Sequence, residues 1–325
     1  MRKIKGLLLL LISLNAFSQQ VDSSYTTNEN KEPDYIWIFS SPRLINANTV
    51  EMVPAGILEF KVTHNFGDIA GKSGGIKSFF GLDNATDVRI GFQYGLSKRF
   101  NLIAARAKGA LEVTQIYELG VKYRLLQQAN DSKHPLSLAL FASANVSTRQ
   151  AQNLDIEGRK REGSFENFSD RLSQTVQLLI ARKFGTVSLQ LSPTIVNQNF
   201  VIADDDKTIF AFGGGFRLPV KGKFSIIMDY FHPFRSQRSI DSLKSRSYQE
   251  IGRLNGLRFY DVLGVGIELL TEGHVFHLNF TNATEILENR FIHRTITSWG
   301  KGQYRWGFTI TRDFDLLWKK KNRKN

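Results

Sequence analysis

Between residues 56 and 314 apolar and polar side chains alternate with a period of two, in twelve extended runs. In the first run Leu58, Phe60, Val62 and Phe66 share one face, and Glu59, Lys61, Thr63 and Asn65 the other. The second sets Val88, Ile90, Phe92 and Tyr94 against Arg89, Gly91, Gln93 and Gly95. The fourth sets Tyr117, Leu119, Val121, Tyr123 and Leu125 against Glu118, Gly120, Lys122 and Arg124. The last sets Tyr304, Trp306, Phe308 and Ile310 against Arg305, Gly307 and Thr309. Runs at 100–106, 224–234 and 275–280 carry the pattern less cleanly. Successive side chains of an extended strand point to opposite faces, so each run reads as a strand with one apolar face.

A soluble β-sandwich shows the same alternation, with its apolar face turned to a core. Three further features choose a transmembrane barrel instead. Many runs reach ten residues or more, whereas sandwich strands cluster near ~5–6 and a tilted membrane strand needs ~9–11. The gaps alternate long and short. The long ones are 67–85, 149–167, 197–206, 235–256 and 281–301, with 107–113 the exception; the short ones are 97–99, 185–186, 219–223 and 271–273, with 127–135 somewhat longer. Outer-membrane barrels have short periplasmic turns and long external loops. Aromatic rings, among them Tyr94, Phe100, Tyr123, Phe184, Phe224 and Phe314, gather near the strand ends next to the short gaps, as an interfacial girdle requires. The expected fold is all-β: one antiparallel up-and-down barrel of about twelve strands. An even strand count puts both ends of the barrel on the periplasmic side.

The chain has 325 residues and no cysteine, which excludes a disulfide scaffold and a thiolate metal site. Residues 1–18 read as a secretory signal. Arg2, Lys3 and Lys5 precede an apolar stretch from Gly6 to Phe17, and cleavage is expected between Ser18 and Gln19. No stretch reaches the ~20 apolar residues of a spanning helix. Residues 19–53 are expected to be a disordered or periplasmic lead-in, 54–314 the barrel, and 315–325 a basic periplasmic tail. The net charge is +13, three units of it from the signal. Export argues against nucleic acid as the partner of so basic a chain. Outer-membrane lipid and the barrel-insertion machinery are the expected partners, together with a small solute if the lumen is open.

The inward faces carry Lys61, Arg89, Lys122, Arg124, Lys183, Arg217 and Arg305 against Glu59, Glu118, Asp229 and Glu268. Buried ionisable groups need partners, so these residues read either as an internal network that closes the lumen or as the lining of a narrow, weakly anion-favouring channel. Inward glycines leave room for large inward side chains such as Phe141, Phe231 or Tyr260, or for a solute. No cofactor or metal is expected. Gly71-Lys72-Ser73 lacks the glycine and the helix of a phosphate loop. His274 and His277 stand three apart on a strand and face opposite sides. Asp204, Asp205 and Asp206 read as a solvated loop tip. No nucleophile elbow marks a hydrolase, leaving a rim-located lipid- or peptide-hydrolysing enzyme as the least favoured reading.

The segments NTVEMVPAGILEFKVTHNFGDI, FFGLDNATDVRIGFQYGLSKRFNL, LLIARKFGTVSLQLSPTIV, GHVFHLNFTNATEILENRFI and WGKGQYRWGFTITRDF resemble a family of bacterial outer-membrane β-barrels, the domain of unknown function 5777. The similarity covers about residues 44–314. It implies a membrane barrel and carries over no catalytic or ligand residue. The hydrophilic extension from Asp315 to Asn325 departs from that pattern, so the terminal aromatic that guides insertion is Phe314 from inside the chain or Trp318. Taken together, the sequence leads to a narrow passive or gated channel for a small solute. The alternative is a closed structural or surface-binding barrel whose external loops contact ligands.

Overall fold

The computed structural model describes residues 33–71, 73–110, 112–131, 133–151, 162–202, 205–245 and 258–316. The expected signal, the first part of the expected lead-in and the tail beyond residue 316 lie outside the described residues, as do Lys72 and Asp204.

Twelve antiparallel strands close into one barrel in which each strand pairs with its neighbours in sequence and β1 pairs with β12. The strands are β1 (Ile57–Asp68), β2 (Ala85–Gly95), β3 (Phe100–Ala107), β4 (Ile116–Leu126), β5 (Ser137–Ser147) and β6 (Leu172–Phe184). They continue as β7 (Val187–Gln198), β8 (Thr208–Lys221), β9 (Phe224–Phe234), β10 (Val262–Thr271), β11 (His274–Thr281) and β12 (Arg305–Asp315). The closing seam runs in register from Ile57 against Asp315 to Asn65 against Gly307, then through a bulge to Asp68 against Arg305. The three noisier runs are full members of the ladder. Two of the tightest turns at the short-turn end hold Gly185 and Gly222 at φ 58° and 57°, a left-handed backbone that an L side chain disfavours.

Burial follows the alternation. Along β4 the pattern is strictly buried, exposed, buried, exposed from Ile116 to Tyr123, with Tyr117, Leu119, Val121 and Tyr123 facing out. The polar positions are the buried ones. This inversion is what a lipid-facing wall requires, because hydrocarbon replaces the core as the apolar neighbour.

Two segments outside the wall fill the lumen. Residues 34–53 are not a lead-in lying outside the barrel, contrary to the expectation for 19–53. They enter at the short-turn end, where the Ile36 amide donates to the Gln128 carbonyl at 2.8 Å. They turn back at a tip closed by Leu44 N–H to the Ala47 carbonyl at 2.9 Å and Thr49 N–H to the Pro42 carbonyl at 3.0 Å. They return to the same end, where Val53 N–H donates to the Asn101 side chain at 2.8 Å. From the other end, the long connection after β11 folds inward. It carries a short helix, α2 (Glu288–Arg294), in which Glu288 to His293 are all buried. A further helix, α1 (Gln237–Ser245), follows β9.

The hairpin has an apolar side. Ile38, Phe39, Leu44, Ile45 and Val50 pack on Ile103, Ala139, Phe141, Leu179, Ala181 and Ile227 of the wall. A second cluster joins Ala47 to Val196, Ile209, Phe231 and Val262 of the wall and to Phe291 and Ile292 of α2. The molecule therefore has a hydrophobic core inside a barrel whose outer face is also apolar.

Candidate functional site

The site that the fold builds is the filled lumen. Ten of the eleven inward charges named from the sequence have their place there, and Lys183 sits half-exposed at the short-turn rim. Arg89 on β2 reaches past β3 to Glu118 on β4, with Nη2 2.6 Å and Nε 3.0 Å from the same carboxylate oxygen. Arg217 on β8 reaches past β9 to Glu268 on β10 at 2.7 Å. Lys61 lies 3.1 Å from Glu59 on its own strand, and Arg305 lies 2.7 Å from Asp68. These pairs run along the wall between nearby strands rather than across the lumen.

The other inward charges belong to the hairpin. The Lys122 ammonium, fully buried, donates to the carbonyls of Pro42 at 3.1 Å, Thr49 at 3.1 Å and Glu51 at 3.2 Å. All three of its protons are thereby used on one turn of the inserted chain. Among the described residues Asp229 makes no ion pair. It accepts from the Asn46 and Ala47 amides at 2.6 and 2.9 Å and from the Asn46 side chain at 2.9 Å. Glu268 also accepts from Ser40 at 2.8 Å. Arg124 faces Glu51 of the hairpin at 3.7 Å, and Lys183 reaches the Trp37 carbonyl at 3.5 Å.

The hairpin and the inward loop meet. Arg43 bonds the Ile286 carbonyl at 2.7 Å and the Glu288 carboxylate at 2.9 Å. Asn48 bridges Gln177 of the wall at 3.0 Å and Glu288 at 2.9 Å. Above this junction Arg290 lies between Glu285 at 3.0 Å and Glu162 at 3.2 Å, and Arg294 holds Glu162 at 2.5 Å. Burial raises Glu285 to about 6 against the pull of Arg290. Burial would also raise Glu162, but Arg290 and Arg294 together bring it down to about 2. His293 is held neutral: burial, then the Arg235 charge, push it well below its ordinary range. Its Nε2 donates to the Asp206 carbonyl at 2.9 Å, while Nδ1 accepts from Arg235 at 3.3 Å.

The space that the inward glycines vacate is taken by the chain itself. A Cβ on Gly213 would meet the Phe231 ring at 2.3 Å, and one on Gly215 would meet the Leu44 side chain at 2.8 Å. A cavity between hairpin and wall, lined by Arg43, Asn48, Glu59, Lys61 and Arg89, measures about 20 Å³. That is room for about one water molecule.

Sequence reasoning missed Arg43, Glu51, Asp87, Glu162, Glu285, Glu288, Arg290 and His293. Asp87 stands at an inward position of β2 and could have been read from the alternation. It accepts from Ile286 N–H of the inward loop at 2.9 Å and from Gly109 N–H of the connection between β3 and β4 at 2.7 Å. The signal for the rest lay on the wall, in Ile103, Phe141, Leu179, Ile227 and Phe231, which are apolar side chains at inward positions. His277 faces the lumen, 3.2 Å from Glu268, and His274 sits at the turn, 2.9 Å from Arg312. Asp205 pairs with Arg235 at 3.2 Å, and Asp206 caps α1 through Ser236 at 2.7 Å, so both are structural.

Residues 39–314 match the family described as Membrane bound beta barrel domain (DUF5777). The chain belongs to that family. The match begins inside the hairpin and ends at the last strand, so the plugged lumen falls within the family's shared region. No curated protein matches the sequence. Among solved structures, the NanC porin aligns at 7% identity over 80% of this chain and 100% of its own, with a TM-score of 0.44. An outer membrane channel from Pseudomonas putida F1 aligns at 10% identity over 83% of this chain and 100% of its own, TM-score 0.46. Outer membrane protein Omp33 of Acinetobacter baumannii aligns at 10% over 79% and 97%, TM-score 0.37.

Proposed function

We propose that this protein is a closed outer-membrane barrel, exported by its N-terminal signal, that presents its long loops at the cell surface rather than conducting solute in its resting state. One observation carries this reading: the hairpin 34–53 occupies the lumen on a matching apolar patch of the wall. Returning Ile38, Phe39, Leu44, Ile45 or Val50 to water would cost about 1.5–3 kcal/mol each, and would wet Phe141, Leu179 and Ile227 as well. A channel lining has no use for such a patch.

Gated passage of a small solute is the second reading. It is favoured by the polar remainder of the wall behind the hairpin, where Lys122, Gln177, Gln190, Asp229 and Glu268 would hydrate if the hairpin withdrew. Purified protein in a planar bilayer tests the first reading. Folded wild type, checked by heat-modifiable gel mobility, is expected to give no discrete conductance steps. A variant lacking both fillings, residues 35–53 and 284–297, is expected to conduct. Discrete steps from the folded wild type would overturn the closed reading.

A further inference from the structure

Family membership places the outward face of the strands in a bilayer, independently of whether the lumen conducts. That face is nearly free of formal charge. Away from the terminal residue of each strand, its described positions carry no Asp, Glu or Lys, and arginine at only Arg106, Arg182 and Arg312. All three lie near strand ends, at the depth of lipid headgroups rather than of hydrocarbon. Each lies against an aromatic ring: Arg106 is 6.0 Å from the Tyr117 ring, Arg182 4.9 Å from Phe184 and Arg312 5.7 Å from Phe314.

Arg182 on β6 and Arg312 on β12 both stand at the short-turn end, on different sides of the barrel. Among the described residues neither makes an ion pair with a carboxylate. Arg312 donates to the His274 ring at 2.9 Å, which leaves most of its fork unused. The rim around them adds cations. Exposed Lys133 lies in the turn before β5, and exposed Lys221 and Lys223 flank the turn between β8 and β9. The acids near these turns include Asp131, which is occupied by His134 at 2.9 Å, Glu272 in the turn before β11, and Asp313 and Asp315 on β12 beside Arg312. A guanidinium held over a ring at headgroup depth, with donors to spare and no carboxylate paired to it, is a ready partner for a planar or tetrahedral oxyanion.

We propose that Arg182 and Arg312 are two lipid-binding sites, each guanidinium reaching rimward over its neighbouring ring to take the phosphate of an anionic phospholipid headgroup. The sites anchor the barrel at its short-turn end and fix its depth and tilt. Native mass spectrometry of the full chain, released from micelles doped with phosphatidylglycerol or with a galactosyl diacylglycerol of the same acyl chains, provides the test. Wild type is expected to retain phosphatidylglycerol more tightly than the phosphate-free lipid, by roughly fivefold for each arginine. Arg182→Gln and Arg312→Gln should each lose one preferentially retained lipid, and the double variant should hold both lipids equally. Heat-modifiable mobility confirms that each variant is folded. Equal retention of the two lipids by wild type, or a preference that survives in the double variant, would overturn the proposal. So would displacement of phosphatidylglycerol by excess inorganic phosphate, since the arginines would then select a free anion rather than a headgroup.

Discussion

The Lys122 ammonium shows what a lumen charge does in this protein. Its three protons end on Pro42, Thr49 and Glu51 carbonyls of the hairpin, so it joins wall to plug without any carboxylate. Those carbonyls sit where water does not reach, and an unpaired buried acceptor costs about 1–3 kcal/mol. Lys122→Met keeps the stem and removes the donors. The expected result is a barrel that still folds but is less stable by about 3 kcal/mol, with residues 34–53 newly open to protease. Lys221→Met, at an exposed turn position, should change stability by no more than ~0.5 kcal/mol. Denaturation of both variants in the same detergent makes the comparison. Equal stability would mean that the hairpin is held without Lys122.

At the scale of elements, the inward loop with α2 is the part that responds to acid. His293 is neutral in the fold and would take a proton near 6.5 once released, so its contribution is present above that pH and is lost as pH falls through it. Glu162, at about 2 in the fold against 4.5 outside it, contributes fully above 4.5 and loses its contribution on the way down to about 2. Glu285 runs the other way. Its folded value near 6 lies above 4.5, so protonation between those values relieves a buried charge and favours the fold. Hydrogen-exchange protection of residues 286–296, corrected for intrinsic rates, should hold down to pH 6.5 and fall below it. The fall should pause between about 6 and 4.5 and then resume. His293→Gln should remove the first fall and leave the last. A profile unchanged by that substitution would take His293 out of the account. The strands of the wall were legible in the sequence because alternation, length and gap lengths all report on the bilayer. The hairpin and α2 were not, because an inward position facing a polar plug and one facing water call for the same residues. Lys122 and Asp229 fit either. Only misplaced apolar side chains such as Phe141 and Leu179 distinguish the two cases, and an inward glycine such as Gly215 gives no hint that Leu44 fills its space.

The described barrel is two nested surfaces: a wall whose ladder closes on itself through β1 and β12, and a filling supplied by the chain before β1 and by the loop after β11. The filling leaves the ladder intact, so the barrel and its closure are separable, and whether the closure is permanent decides between a seal and a gate. The chain has no cysteine, which makes an engineered disulfide clean. The Leu44 Cδ1 lies 2.8 Å from where a Gly215 Cβ would stand, so Leu44→Cys with Gly215→Cys is the pair to test for a bond from the hairpin tip to β8, its closure read by thiol titration. If the hairpin is a seal, cells producing the locked form and cells producing wild type should admit small hydrophilic solutes at the same low rate, and reductant should change neither. Cells producing the variant without residues 35–53 and 284–297 should admit them faster, which shows that the assay can see an open lumen. A gate predicts a different result: uptake through wild type above that of the locked form, with reductant restoring the difference.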